Sequence, residues 1–185
     1  MDFHRRTEDL WRLVFVTLLV IISVESRGSG DLLNHRENVF SMEQLRGKVV
    51  LLVFGFTSCQ DICPAEMARA TIALNEMENS LGTVQPVFVT IDPDRDRPKV
   101  IARYLESFHP SFTGVSGDVK ALSALAVRYG VTPARNKHHG NNSRIDHGYS
   151  TFILNTQGEI EVSVLPGLPP SHLAGLLSKF AEKMR

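Results

Sequence analysis

The stretch Val49–Pro64, VVLLVFGFTSCQDICP, decides the fold. Its first part, Val49 to Phe54, is an unbroken apolar run closed by Gly55, which reads as a buried strand. From Pro64 onward the chain, PAEMARATIALNEM, reads as a helix reaching Glu78. Cys59 and Cys63, the only two cysteines of the chain, therefore straddle a strand-to-helix junction. An i, i+4 spacing in the first helical turn puts both sulfurs on one face. The unpaired N–H groups and the positive dipole end at that point favour thiolate over thiol. Pro64 suits the place, because an early proline removes only a donor that would have no helical partner.

Outward from this segment the elements alternate. Val87 to Ile91 (VFVTI) is expected as a strand and Pro98 to Phe108 as a helix. A short extended piece follows at Phe112 to Val115, then a helix from Asp118 to Tyr129, capped by Asp118 and stopped by Gly130. Thr151 to Leu154 and Glu159 to Val164 read as strands joined by the turn Asn155-Thr156-Gln157-Gly158, and Pro170 to Lys183 reads as a closing helix. Strand, helix, strand, helix, hairpin, helix describes an α/β domain: a mixed sheet flanked by helices on both faces, in the thioredoxin-like order. The longest irregular stretch, Thr132 to Tyr149, is of a length that is usually functional or mobile. Asn141-Asn142-Ser143 within it matches a glycosylation acceptor, a signal common by chance and empty in a bacterial periplasm.

With 185 residues the chain has room for one domain and a short extension. Lysine plus arginine equals aspartate plus glutamate at 20 each, so no net field recommends nucleic acid as a partner. At the N-terminus Arg5, Arg6 and Arg12 precede an apolar run from Leu13 to Val24. As a helix that run rises about 18 Å against a hydrocarbon layer of about 30 Å. Residues 1–26 are thus expected to be a signal peptide, with Val24 and Ser26 offering small residues for cleavage, or a membrane anchor. Basic residues ahead of the run place the domain outside the cytoplasm. Residues 27–46 read as a polar lead-in or tether and 47–185 as the folded domain. The implied location is the bacterial inner membrane facing the periplasm, or the periplasm itself after cleavage. A mitochondrial presequence fits less well, since Asp2, Glu8 and Asp9 are acidic.

Export changes the reading of the cysteines. Lone thiols outside the cytosol tend to oxidise to each other, so a pair at a helix start suggests redox exchange or a metal ion. A static bridge closing so small a loop gains little chain entropy. Two thiolates and one imidazole make a trigonal set suited to copper or zinc. The candidate third ligand is His147 in Asp146-His147-Gly148-Tyr149, because the loop before the Thr151 strand falls at the sheet end where the cysteine helix begins. Such a set leaves a coordination position open, whereas structural zinc takes four closed ligands. His138 and His139 share that loop and could hold a metal transiently; His4, His35, His109 and His172 show no ligand spacing. In Asp92-Pro93-Asp94-Arg95-Asp96 the bland roles are an Asx-type turn at Asp92 and a helix cap at Asp96. The functional role is an outer acid that tunes the thiolates or meets a partner.

Taken together, Gly55-Phe56-Thr57-Ser58-Cys59-Gln60-Asp61-Ile62-Cys63-Pro64, Asp92-Pro93-Asp94-Arg95-Asp96, Thr113-Gly114 and Asp146-His147-Gly148-Tyr149-Ser150-Thr151-Phe152 resemble the Sco/SenC family. Those are membrane-tethered, thioredoxin-like copper proteins of cytochrome c oxidase assembly, and the resemblance covers the chain from about Gly47 onward. It implies that Cys59, Cys63 and His147 bind copper, as Cu(I), Cu(II) or both. It further implies a partner in the copper-centre subunit of the oxidase, served by metal delivery or by reduction of its cysteines. Other periplasmic copper chaperones or thiol reductants would be secondary partners. Two departures stand out: the lead-in from Asp31 to Ser41 is shorter and more polar than the paired strands the family places there, and Arg97 stands where a small capping residue is commoner. Two other functions use the same pair. A thiol-disulfide reductase needs both sulfurs but no imidazole, and a peroxide-reducing enzyme needs one activated cysteine.

Overall fold

The computed structural model describes residues 31–77, 81–131 and 151–183. Among them the strands are β1 (Leu32–Asn34), β2 (Val39–Phe40), β3 (Val49–Gly55), β4 (Val84–Thr90), β5 (Thr113–Gly117), β6 (Thr151–Leu154) and β7 (Ile160–Val164). The helices are α1 (Ile62–Asn75), α2 (Pro98–Leu105), α3 (Val119–Arg128) and α4 (Pro170–Glu182), with 3-10 turns at Met42–Leu45 and Leu81–Thr83. The strands form one sheet in the order β2-β1-β5-β4-β3-β6-β7. β3, β4 and β5 run parallel, and β1, β6 and β7 pair antiparallel at the flanks. This is the α/β thioredoxin-like arrangement that the alternation of elements predicts.

β3 lies inside the sheet and is buried along its whole length. The pleat sends Val49, Leu51 and Val53 to one face, where they pack with Met67 and Leu74 of α1, Ile101 of α2 and Leu177 of α4. Val50, Leu52 and Phe54 go to the other face, against Leu122, Leu125 and Ala126 of α3. A strand covered on both sides needs apolar residues at every position rather than alternate ones. The register sets Gly55, the last residue of β3, beside Thr90, the last of β4, so the segments leaving the two strands emerge side by side.

The polar lead-in predicted over residues 27–46 is overturned from Asp31 onward. β1 pairs with β5, β2 pairs with β1, and Phe40, Met42 and Leu45 are buried. The apolar residues that dock this segment are few and separated by charges, as suits a short strand near a sheet edge, so no periodic pattern announces them. Gly117 makes the docking possible: its φ is +146°, and a Cβ there would lie 2.5 Å from the Asp31 carbonyl oxygen. Two boundaries also shift. β4 begins at Val84 and includes Pro86; β5 joins β4 only from Val87, so the proline sits where one side of the strand is still an edge. α1 begins at Ile62, so Cys63 lies inside the helix and Pro64 at its third position, where the N–H still has no helical acceptor.

α3 begins as its sequence signals: the Asp118 carboxylate accepts from the backbone N–H groups of Lys120 and Ala121, and Gly130 follows with φ +73°. α4 closes the β3 face through Leu173, Leu177 and Ala181. Leu177 is fully buried, so Leu177→Ala should lower unfolding free energy by about 2–5 kcal/mol in urea titrations monitored by circular dichroism. A loss under about 1 kcal/mol would mean that α4 is not integral to this core.

Candidate metal and redox centre

Beyond Gly55 the chain turns sharply before entering α1. The Cys59 N–H donates to the Phe56 carbonyl at 3.2 Å, which folds the loop back toward the helix start. Asp61 occupies the cap position, yet its carboxylate accepts no capping bond. The Cys59 sulfur takes that role: the Cys63 N–H donates to Cys59 Sγ at 3.4 Å. A helix start leaves its first amides without acceptors, and here the acceptor is sulfur.

This geometry separates two thiols of identical chemistry, both free and not joined in a disulfide. Burial pushes the Cys59 thiol up, but the backbone N–H groups of Cys63, Asp61 and Ile62, with the Cys63 thiol, outweigh it and leave Cys59 below an ordinary thiol. Cys63 is pushed up to about 12, chiefly by burial, with the negative charges of Cys59 and Asp96 adding to it and a backbone hydrogen bond from Phe56 opposing. The expectation that the helix start favours thiolate on both sulfurs thus holds for Cys59 alone. Cys63 lies deeper, over the end of β3. A Cβ added at Gly55 would lie 3.1 Å from Cys63 Sγ and 3.0 Å from Phe88 Cε2, so only glycine lets the sulfur settle there.

Asp96 does not cap the helix that Pro98 opens. The cap residue of α2 is Arg97, which makes no side-chain capping bond. The Asp96 side chain instead turns inward and is wholly buried. One carboxylate oxygen accepts from the Thr57 N–H at 2.9 Å and the Thr90 hydroxyl at 2.6 Å; the other accepts from the Thr57 hydroxyl at 2.5 Å. The Ser116 hydroxyl donates to the Asp96 carbonyl at 2.6 Å. One residue therefore fastens the loop that carries Cys59 to the ends of β4 and β5. Asp92 lies further out. Its carboxylate pairs with Arg95, and its backbone carbonyl, rather than its side chain, closes the turn by accepting from the Arg95 and Asp96 N–H groups.

His147, His138 and His139, and with them the loop Thr132 to Tyr149, lie outside the described residues. Among the described residues no group of three or more His, Cys, Asp and Glu could hold a metal ion. His35 and His109 are satisfied polar residues, as their lack of ligand spacing suggests. His35 Nδ1 accepts the Gly114 N–H at 3.0 Å, and His109 Nδ1 accepts the Ser111 N–H at 3.2 Å. Sequence reasoning missed Thr57 in the loop after β3, Thr90 at the end of β4 and Ser116 near the end of β5, which all donate to Asp96, up to 39 residues away in the chain. It also passed over Tyr104, whose buried hydroxyl has no partner among the described residues.

A sheet of this order, with two free cysteines one helical turn apart at the opening of the helix after the interior strand β3, defines a dithiol protein of the thioredoxin-like class. The family model SCO1/SenC matches residues 25–182, and the chain belongs to that family. It is 38% identical over 136 residues to the human mitochondrial SCO2 homolog, covering 71% of this chain and 51% of that protein. It is 32% identical over 139 residues to a SCO2-like protein of Rickettsia felis, covering 74% of this chain and 68% of that protein. The chain thus spans about half the length of the human relative and about two thirds of the rickettsial one. Among solved structures it superposes on yeast Sco1 with copper bound at a TM-score of 0.72 and 28% identity, over 84% of this chain and 87% of that one.

Two outcomes follow from the site. Because a lowered pKa means more thiolate at a given pH, limiting iodoacetamide at neutral pH should label Cys59 before Cys63 in peptide mapping; the reverse order would contradict the geometry. Asp96→Ala strips the acceptor from one amide and two hydroxyls and should cost about 3 kcal/mol or more of stability by denaturant titration, whereas Thr57→Ser, which keeps both donors, should cost far less.

Proposed function

We propose that this chain is a copper carrier serving assembly of the copper centre of cytochrome c oxidase, with Cys59, Cys63 and His147 as ligands. The observation that carries the reading is the Cys59 sulfur under the opening amides of α1, with Cys63 at the next turn. Membership of the SCO1/SenC family and the copper bound in the yeast relative support it. Soft thiolates suit copper, and a neutral imidazole completes a trigonal set with an open position.

The split between the thiols gives capture an order. Cys59 is half-buried and the readier thiolate, so it meets the incoming ion first. Cys63 must then give up its proton, and the charge of the ion offsets the burial that holds that proton in place. Release to an acceptor runs in reverse, Cys63 regaining its proton as its bond to copper is displaced. Asp96 holds the Cys59 loop at fixed register throughout, while Asp92, on the outer turn with Arg95, stands where a partner could reach it. The second reading, a thiol-disulfide reductase acting on the oxidase subunit or another exported protein, draws on the same asymmetry of one ready and one reluctant thiol. The two roles exclude each other in time, since a disulfide has no thiolate to offer a metal.

Residues 1–26 serve in this reading as a signal or membrane anchor that keeps the domain outside the cytoplasm. No helix among the described residues is long and apolar enough to cross a membrane.

Purified reduced protein should take up one equivalent of copper, and His147→Ala should weaken that binding by more than about tenfold, since losing even an outer partner of a metal ligand costs about 10–100-fold. Undiminished binding in His147→Ala would remove the third ligand. Full function of the same variant in an oxidase-assembly assay, with Cys59→Ser and Cys63→Ser inactive, would transfer the assignment to the reductase.

A further inference from the structure

β1 and β5 pair antiparallel through Leu32 with Gly117, Leu33 with Ser116 and Asn34 with Val115. The next rung is irregular. The His35 N–H donates to the Gly114 carbonyl at 2.7 Å, as a ladder requires, but the Gly114 N–H donates to His35 Nδ1 at 3.0 Å rather than to a backbone carbonyl. The backbone is already turning there: Asn34 Oδ1 accepts the N–H groups of Arg36 and Asn38, and Glu37 takes φ +63°. An imidazole thus stands in for a backbone acceptor at the end of the β1 ladder. α2 presses on β5 at the same place, since a Cβ at Gly114 would lie 2.2 Å from Ile101 Cγ2 and 2.8 Å from Leu105 Cδ1, with His35 Cβ at 3.4 Å.

A backbone N–H can only donate, so Nδ1 carries a lone pair and the proton of the neutral ring sits on Nε2. A second proton would go on Nδ1 and set two donors against each other, leaving the Gly114 N–H without its acceptor where α2 covers β5. Of the charged groups on the packed elements, Arg36 and Glu37 follow His35 in the turn, Lys99 and Arg103 come from α2, and β5 brings none. Glu37 pairs with Lys99 at 4.0 Å, and Arg36 is the one that acts on the ring. Burial first, then Arg36, holds His35 below the ordinary histidine value, with the Gly114 backbone opposing. We propose that His35 is an acid-sensitive latch: its neutral ring holds the β1–β2 segment on β5, and its protonation frees that segment while β3, β4 and the cysteine helix stay folded. A histidine depressed in the folded state contributes its stability above the ordinary value of about 6.5 and loses it as pH falls through the lowered one. Residues 1–30 join the sheet through this segment, and Leu33 faces Ser116, whose hydroxyl holds the Asp96 carbonyl. Acid therefore loosens the domain's hold on its N-terminal segment, at the border of the clasp that fixes the Cys59 loop. The inference stands apart from the copper reading.

The test is amide hydrogen exchange on the full chain at about pH 7.5 and about pH 5, either side of the histidine range, with protection taken relative to an unfolded chain at the same pH. In wild type, protection at Gly114 and across β1 should fall about tenfold at the lower pH, the scale of one buried donor left unpaired, while β3 and β4 keep theirs. His35→Asn, whose side-chain oxygen accepts but does not titrate, should stay protected at both values. His35→Leu, which offers no acceptor, should be weakly protected at both. Nitrogen NMR of the His35 ring at the higher pH should find the proton on Nε2 and none on Nδ1. Equal wild-type protection at the two values, the same acid loss in His35→Asn, full protection in His35→Leu, a fall spread evenly over β3 and β4, or a protonated Nδ1 at the higher pH would each overturn the latch.

Discussion

A sulfur atom standing in for a helix cap is the interaction on which the rest depends. Asp61 sits at the cap of α1 and leaves its carboxylate out of the bond; Cys59 Sγ receives the Cys63 amide instead. An oxygen there would only complete the helix. A sulfur there becomes more acidic than its partner one turn on, because the unpaired amides at the helix start favour its charged form. The difference between Cys59 and Cys63 is made by backbone geometry and depth, for no basic side chain figures among the causes of either shift.

That geometry is held from two directions. From below, β3 is packed by α1, α2 and α4 on one face and α3 on the other, so its end at Gly55 cannot drift. From the side, the Asp96 carboxylate grips Thr57, two residues before Cys59, and links it to Thr90 at the end of β4. A buried carboxylate is costly unless its oxygens are satisfied, and here the surrounding donors are the very groups whose positions the site requires. Gly55 supplies the third constraint by giving Cys63 room against Phe88.

Much of this was legible in the chain. VVLLVF reads as a strand with two covered faces, and the cap at Asp118 and the turn ending at Gly158 follow from local chemistry that tertiary packing did not override. The cysteine pair announced itself by spacing and place. What stayed hidden is non-local. β1 and β2 are too short for a period, and their place was set by a close approach at Gly117. The Asp96 clasp joins residues far apart in the chain, so the DPDRD segment offered a turn-and-cap reading and an outer-acid reading alike, and nothing local told that its last aspartate points inward. The unequal burial of the two sulfurs could not be read from an i, i+4 spacing, which gives direction and not depth.

The most direct measurement of the central claim is X-ray absorption at the copper edge on the loaded, reduced protein. The account predicts two sulfur neighbours and one imidazole nitrogen in the copper shell, with both sulfurs required for the pattern. A shell of oxygen and nitrogen alone, with neither sulfur bound, would contradict it.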